Sequence, residues 1–393
     1  MSNDRLIVIG GGIGGTATAL AARRAGREVT LLEQAPAFTE VGAGLQMAPN
    51  ATRVLRRLGV LDRVLEAGVR PGHLVFHNAV DGRELTRVRL DRAYEEHFGG
   101  PYVVVHRSDL LDILVDAAVG AGAELVTGRR VEEIDQHPDS VTVRTGDGTA
   151  YTGGAVVAAD GLHSRTRALF SDDEPVQSGY VAYRGTVPIE DVAGGANLRD
   201  VLVWMGPGLH LVQYPLRSGS LYNQVGVFRS PRFDDGAERW GGPDELEQVF
   251  AATCEPVRRA LPGLGRERWW PMADREPIAS WAKDRVALLG DAAHPMLQYL
   301  AQGACQAIED AAALAASATR HSGPDGTVAW PSALEEYAAE RAPRTARVQS
   351  TARVWGEMWH VDGVAALLRD EVFSRRATDD LGAAEWLWGH RAG

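Results

Sequence analysis

The stretch "RLIVIGGGIGGTATALAARRAG", Arg5 to Gly26, decides how the chain begins to fold. Leu6 to Ile9 is an unbroken apolar, largely β-branched run, so neither face is reserved for solvent and a buried parallel strand is predicted. A glycine-rich turn follows, then a small-residue helix that Gly26 stops in the left-handed conformation. "REVTLLE" supplies a second strand closing on Glu33. Within this βαβ unit Gly10, Gly12 and Gly15 form GxGxxG, with Gly14 inside the same turn. Gly10 permits the tight turn, Gly12 lets a pyrophosphate approach the backbone, and Gly15 lets helix and strand pack closely. The helix N-terminus faces the phosphate charge, and Glu33 suits hydrogen bonding to a ribose. Packing alone would account for the glycines, but the acidic strand end at the expected place makes dinucleotide binding the reading.

Further along, "HRSDLLDILVDAAVGAGAELVTG" predicts an N-capped amphipathic helix and then a strand from about Ala123, and "GGAVVAADG" another buried strand. Near Gly179 the texture changes. "GYVAYRGTVP", "VLVWMG", "HLVQYPL" and "LYNQVGVF" are short, alternating and turn-punctuated, as antiparallel strands are. The first texture returns at "DRVALLGDAAH", and helical segments close the chain. The expected fold is therefore α/β: a Rossmann-like nucleotide-binding domain (1–72, 99–172 and 276–330) interrupted by an antiparallel-sheet substrate domain (73–98 and 173–275), with a C-terminal helical region at 331–393.

With 393 residues the chain can build such a two-part core, and a formal charge of −11 argues against nucleic acid or anionic membrane as a general partner. Cys254 and Cys305 are the only cysteines, too few and too far apart for a disulfide framework or a thiolate metal site, so no metal is expected. No signal-peptide pattern or long charge-free apolar run is evident, which predicts a cytoplasmic protein. A homodimer is left open.

Two more strand-end motifs, "AADG" at Asp160 and "LLGDAAHP" at Asp291, follow the glycine turn in order. Together the three motifs resemble the single-component FAD-dependent aromatic hydroxylases, a family of flavoprotein monooxygenases, over essentially the whole chain. The resemblance implies tightly bound FAD, NADH or NADPH as transient electron donor, and O2. It implies that Glu33 binds the adenosine ribose, that Arg107 contacts FAD, and that Asp291 meets the ribityl chain. Asp160 falls in the motif associated with both FAD and nicotinamide. Independently, the N–H groups of Gly303 and Ala304 at a helix N-terminus suit negative charge on a reduced flavin. Glu309 and Asp310, further along that helix, read as structural.

The implied chemistry is hydroxylation of an electron-rich ring through a flavin C4a-hydroperoxide, with a histidine of near-neutral pKa as partner for the phenol proton. "LQYLA", "GYVAYRGT", "HLVQYPLR", "WWPMADREPI", "GEMWHVDG" and "EWLWG" resemble the 3-hydroxybenzoate 6-hydroxylase branch, which makes gentisate. That branch implies His210 and Gln298 at the substrate hydroxyl. Alternation independently puts His210, Val212 and Tyr214 on one strand face, so Tyr214 is a further candidate. "LVFHNAV", Leu74 to Val80, departs from the branch, and whether His77 and Asn78 reach the ring stays open. So does a hydroxylase of an amino-hydroxybenzoate such as 3-amino-4-hydroxybenzoate, or of salicylate; a non-catalytic FAD-binding protein is the alternative of another class. The Trp269–Trp270 and Trp386–Trp388 segments read as core or interface. A halogenase reading fits poorly, because the only lysine, Lys283, precedes a sheet strand.

Overall fold

Leu6–Ile9 is the centre of a six-stranded sheet and is entirely buried. Strands flank it on both edges, the helix Ile13–Arg24 packs on Leu6 and Val8, and strand Val141–Thr145 of a three-stranded sheet joins the core of Ile7 and Ile9. A computed structural model describes residues 4–39, 44–192 and 197–393. The strand order is Ala282–Lys283, Val286–Leu288, Ala155–Ala158, Leu6–Ile9, Val29–Leu32, Glu124–Val126. All pairings are parallel except the hairpin at Ala282–Lys283. Gly10 adopts φ +101°, and a Cβ there would lie 2.3 Å from the Ala159 carbonyl oxygen. A Cβ on Gly15 would lie 1.9 Å from the Gly10 oxygen, so the helix Ile13–Arg24 closes onto its strand only with glycine at both places.

The second large sheet has seven strands, ordered Trp270–Asp274, Val176–Pro188, Leu221–Arg229, Leu209–Leu216, Val201–Gly206, His73–Asn78, Glu84–Arg89. Its pairings are antiparallel with one exception. Val201–Gly206 runs parallel to His73–Asn78, contrary to the uniformly antiparallel expectation. The exception is physically permitted because the two strands are joined by residues 79–200, a connection far longer than the dozen or so residues that parallel pairing needs. Two smaller sheets escape the sequence reading: Val131–Gln136, Val141–Thr145 and Ala150–Gly153, and the pair Gly44–Met47 with Val103–His106.

The helices Gly303–Arg320 and Trp330–His360 lock the two parts together. Where they cross, Glu309, Asp310 and Arg341 have fully buried side chains. Arg341 donates from Nη1 to Glu309 (2.5 Å) and from Nε to Asp310 (2.7 Å), and Arg344 Nε donates to Glu309 at 2.7 Å. Asn50 Nδ2 also donates to Glu309 (2.6 Å), and the His294 ring and the Gly290 N–H meet Asp310 at 2.6 and 3.0 Å. The pair is structural, as its place in the sequence suggests. Among the described residues no helix is long and apolar enough to cross a membrane, and no cluster of ligating side chains suits a metal.

Burial alone would raise both carboxyls. Arg341 and Arg344 outweigh it at Glu309, and His294 with Arg341 outweighs it at Asp310, holding each at about 2. A folded-state pKa below the unfolded one contributes stability that is complete above the ordinary values of 4.5 and 3.8 and is lost as pH falls towards about 2. Acid unfolding in that window is therefore expected, and Glu309→Gln should flatten its pH slope. Arg341→Met should cost about 3–5 kcal/mol, since it strands two buried carboxylates, measured by urea unfolding at neutral pH.

Candidate active site

A cavity of about 1070 Å³ starts at the C-terminal ends of the parallel strands and extends to the inner face of the seven-stranded sheet. The crevice beyond the strand ends is where open α/β sheets bind ligands. Gly10, Gly12, Gly14, Glu33, Arg107, Asp160, Asp291, Gly303 and Ala304 line it, as do His210, Tyr214 and Gln298. Gly15 of the glycine turn does not, being packed behind it.

At the strand-end side, Glu33 Oε2 accepts the Gly11 N–H at 2.6 Å and Oε1 accepts the Ala35 N–H at 2.7 Å. The carboxylate thus braces the glycine turn from beneath the second strand. Gly12 caps the first helix at φ −72°, ψ −176°, a conformation open to any residue. Its φ and ψ therefore do not require glycine, and it lies on the cavity wall. Asp160 Oδ2 accepts from Arg165 N (3.2 Å) and Thr166 Oγ1 (3.4 Å), so it does cap a turn. Its Oδ1, however, is buried with no hydrogen-bond partner among the described residues. Arg107 opens the helix Arg107–Gly120 behind the His106 cap. Asp291 is exposed in the turn Gly290–Ala292, its Oδ1 3.9 Å from where a Cβ on Gly303 would stand. Among the described residues no side chain caps the helix Gly303–Arg320, and its first residues, Gly303 and Ala304, line the cavity.

At the other end, strand alternation divides Leu209–Leu216 as expected. His210, Val212 and Tyr214 face the cavity, while Leu209 and Leu211 join the core on the opposite face. Tyr214 is buried, which pushes its hydroxyl above the ordinary 10, and a Cβ on Gly44 would stand 2.4 Å from its ring. His210 is 1% exposed, with Tyr299 and Trp359 ring centroids at 5.5 and 5.1 Å. Its Nδ1 lies 2.8 Å from His360 Nε2. Burial, then His360, pushes its pKa well below 6.5, so the expected near-neutral histidine is a neutral imidazole instead. Gln298 opens the turn Gln298–Leu300 and is not isolated: its Oε1 accepts from Arg184 Nη2 at 3.3 Å.

Sequence reasoning missed Arg184. It shares strand parity with Ala182, on the cavity side of Val176–Pro188, and its guanidinium sits 5.4 Å from the Trp270 ring centroid. Parity could have found it. Also missed were Leu74, Phe76, Thr86 and Val88 of the first hairpin and Trp355 and Trp359 of the long helix. Trp386 and Trp388 line the cavity as well as packing in the core, a wider role than expected. Trp269 stacks on Tyr183 outside it, at 6.0 Å. His77 stacks on Trp204 at 4.3 Å and Asn78 Nδ2 donates to Asp370 Oδ2 at 2.8 Å, neither of them lining the cavity. Lys283 is exposed on the edge strand, away from it.

The family described as FAD binding domain matches residues 4–352. The chain is 38% identical over 390 residues to 3-hydroxybenzoate 6-hydroxylase of Polaromonas naphthalenivorans (strain CJ2), covering 99% of this chain and 96% of that protein. It is 36% identical over 390 residues to 3-amino-4-hydroxybenzoate 2-monooxygenase of Streptomyces cremeus, with coverages of 99% and 96%. Klebsiella pneumoniae HpxO, solved with FAD and uric acid, superposes with a TM-score of 0.85 at 25% identity, covering 98% and 96% of the two chains. The chain belongs to the family of FAD-dependent aromatic hydroxylases, flavoprotein monooxygenases. The braced glycine turn, the side-chain-free Gly12 and the orphaned Asp160 oxygen fit that cofactor.

Gly12→Val should give folded but colourless protein, since the backbone tolerates valine while the occupant does not. Flavin absorbance per chain and far-ultraviolet circular dichroism check this together; a fully yellow variant would remove Gly12 from the cofactor site.

Proposed function

We propose that the protein is an NAD(P)H- and O2-dependent hydroxylase of a phenolic benzoate, most like a 3-hydroxybenzoate 6-hydroxylase forming gentisate. The observation that carries this reading is a polar pair, His210 and Gln298, on the wall of an otherwise largely apolar cavity end that is continuous with the glycine turn. Bound FAD supplies the redox chemistry, taking electrons from NAD(P)H and delivering one oxygen atom of O2 to the ring. Glu33, Arg107, Asp160 and Asp291 would hold it, and the Gly303 and Ala304 N–H groups would favour negative charge there.

The protein's own task is to seat a small aromatic acid and keep it dry. His210 and Gln298 hydrogen-bond the ring hydroxyl, which fixes which carbon is presented. Arg184 brings positive charge beside Gln298, where a benzoate's anionic character is favoured. Phe76, Val212, Trp355 and Trp359 supply apolar walls that exclude water, and Tyr214 closes the same face. In this reading 1–72, 99–172 and 276–330 hold the cofactor, 73–98 and 173–275 close over the substrate, and 331–393 completes the wall. Similar identity to the amino-hydroxybenzoate monooxygenase supports 3-amino-4-hydroxybenzoate as the second substrate class.

A panel of 3-hydroxybenzoate, 3-amino-4-hydroxybenzoate and salicylate, scored by product identity under NADH and NADPH, tests the proposal. Gentisate from 3-hydroxybenzoate is expected; no product from any member would overturn it. Gln298→Ala should keep its FAD yet raise the substrate KM roughly 3- to 10-fold, the value of one hydrogen bond. For His210→Ala, hydroxylated product per NADH should fall and hydrogen peroxide rise, with substrate KM raised roughly 3- to 10-fold by loss of its hydrogen bond. Unchanged coupling would return His210 to a packing role.

A further inference from the structure

His360 is the last residue of the helix Trp330–His360, and its Nε2 reaches His210 Nδ1 across 150 positions of sequence. The two ring planes differ by only 20° with centroids 5.1 Å apart, the geometry of an in-line, edge-to-edge bond. Tyr180 stacks on the His360 ring, at 4.5 Å and 21°, and so packs one of its faces. One hydrogen lies between the two nitrogens, and which ring owns it determines what His210 offers the cavity.

If His210 Nδ1 carried that hydrogen, neutral His360 would carry its own at Nδ1. That nitrogen is buried and has no hydrogen-bond partner among the described residues. An enclosed N–H without an acceptor is among the costliest orphans, whereas a bare ring lone pair is tolerated more readily. Arg369 donates from Nη1 to the Trp359 carbonyl at 2.7 Å and pairs with Asp370, so neither group of that ion pair accepts from His360 Nδ1. The orphaned His360 Nδ1 therefore puts the shared hydrogen on His360 Nε2. We propose that His360 is a positioning residue: it donates its Nε2–H to His210 Nδ1, and so fixes His210 as the tautomer presenting an Nε2–H donor to the ring oxygen of an ionised phenolic substrate.

This deepens the proposed function and rests on it. The phenol's O–H bond breaks in solution and its proton goes to water; the bound species is the phenolate, and no proton is stored on the histidine pair. Storage is disfavoured because burial and the neighbouring His360 lower His210, and burial and Arg369 lower His360 to about 3. The other ionisable groups around the pair are Tyr180 and Tyr299, both raised by burial, and the Arg369–Asp370 ion pair.

Two measurements on FAD-loaded protein test the assignment. A phenol of pKa about 10 is a minor phenolate at neutrality. If only phenolate is taken, wild-type affinity should rise about tenfold per pH unit between about pH 6 and about pH 8, with the phenolate band in the binding difference spectrum. Flat affinity with a neutral-phenol spectrum would overturn the tautomer. His360→Phe removes the donor, whereas His360→Gln restores an N–H. The phenylalanine variant should lose the pH slope and drop product per NADH tenfold or more, and the glutamine variant should recover most of both. Equal behaviour of the two variants would overturn the positioning role while leaving hydroxylation by wild type intact. Failure of wild type to bind any hydroxybenzoate would overturn both proposals.

Discussion

The Arg341 guanidinium, enclosed between Glu309 and Asp310, is the contact on which the cavity's geometry depends. A buried ion pair is weak evidence of net stability, because desolvation consumes much of the attraction. Its value here is geometric. Asp310 fixes the turn that displays Asp291 through the Gly290 N–H, and Asn50 bonds both Glu309 and Gln302, the residue before the helix N-terminus. Arg344 carries the network outward to the carbonyls of Trp386 and Leu387. One set of charges thus sets the cavity-facing helix end and the aromatic wall at the chain's far end.

How much of this was legible depended on the range of the information. The glycine turn, Glu33 and the split of His210, Val212 and Tyr214 from Leu209 and Leu211 follow from local spacing and period-two alternation. Arg184 obeyed the same alternation and was readable in principle. The parallel pairing of Val201–Gly206 was not, because it depends on what fills residues 79–200. His360 has no local signature at all: its meaning comes from one nitrogen 2.8 Å away on a distant strand. Likewise the expected near-neutral histidine came from the residue type, whereas the lowered pKa comes from its surroundings. The tryptophans near the C-terminus were read by composition as core, and the cavity borrows that core as its wall.

The cavity is a single space with two kinds of lining. At the strand ends it is built from backbone N–H groups and carboxylates, which suits a charged dinucleotide. Against the seven-stranded sheet it is built from aromatic and aliphatic faces with few polar atoms. A reaction that must exclude water at one end while exchanging a soluble electron donor at the other needs this division. The long helix touches both regimes, with Arg341 in the ion network and Trp355, Trp359 and His360 at the apolar end.

The edge strand Ala282–Lys283 has a practical consequence for handling the protein. Because the chain contains a single lysine, amine-directed chemistry has one side-chain target, and it is exposed on the margin of the parallel sheet, outside the cavity lining. Coupling through that side chain would tether the molecule at a residue that does not line the cavity. Surface-based optical or electrochemical sensing of aromatic acids could use the chain without engineering a new attachment point.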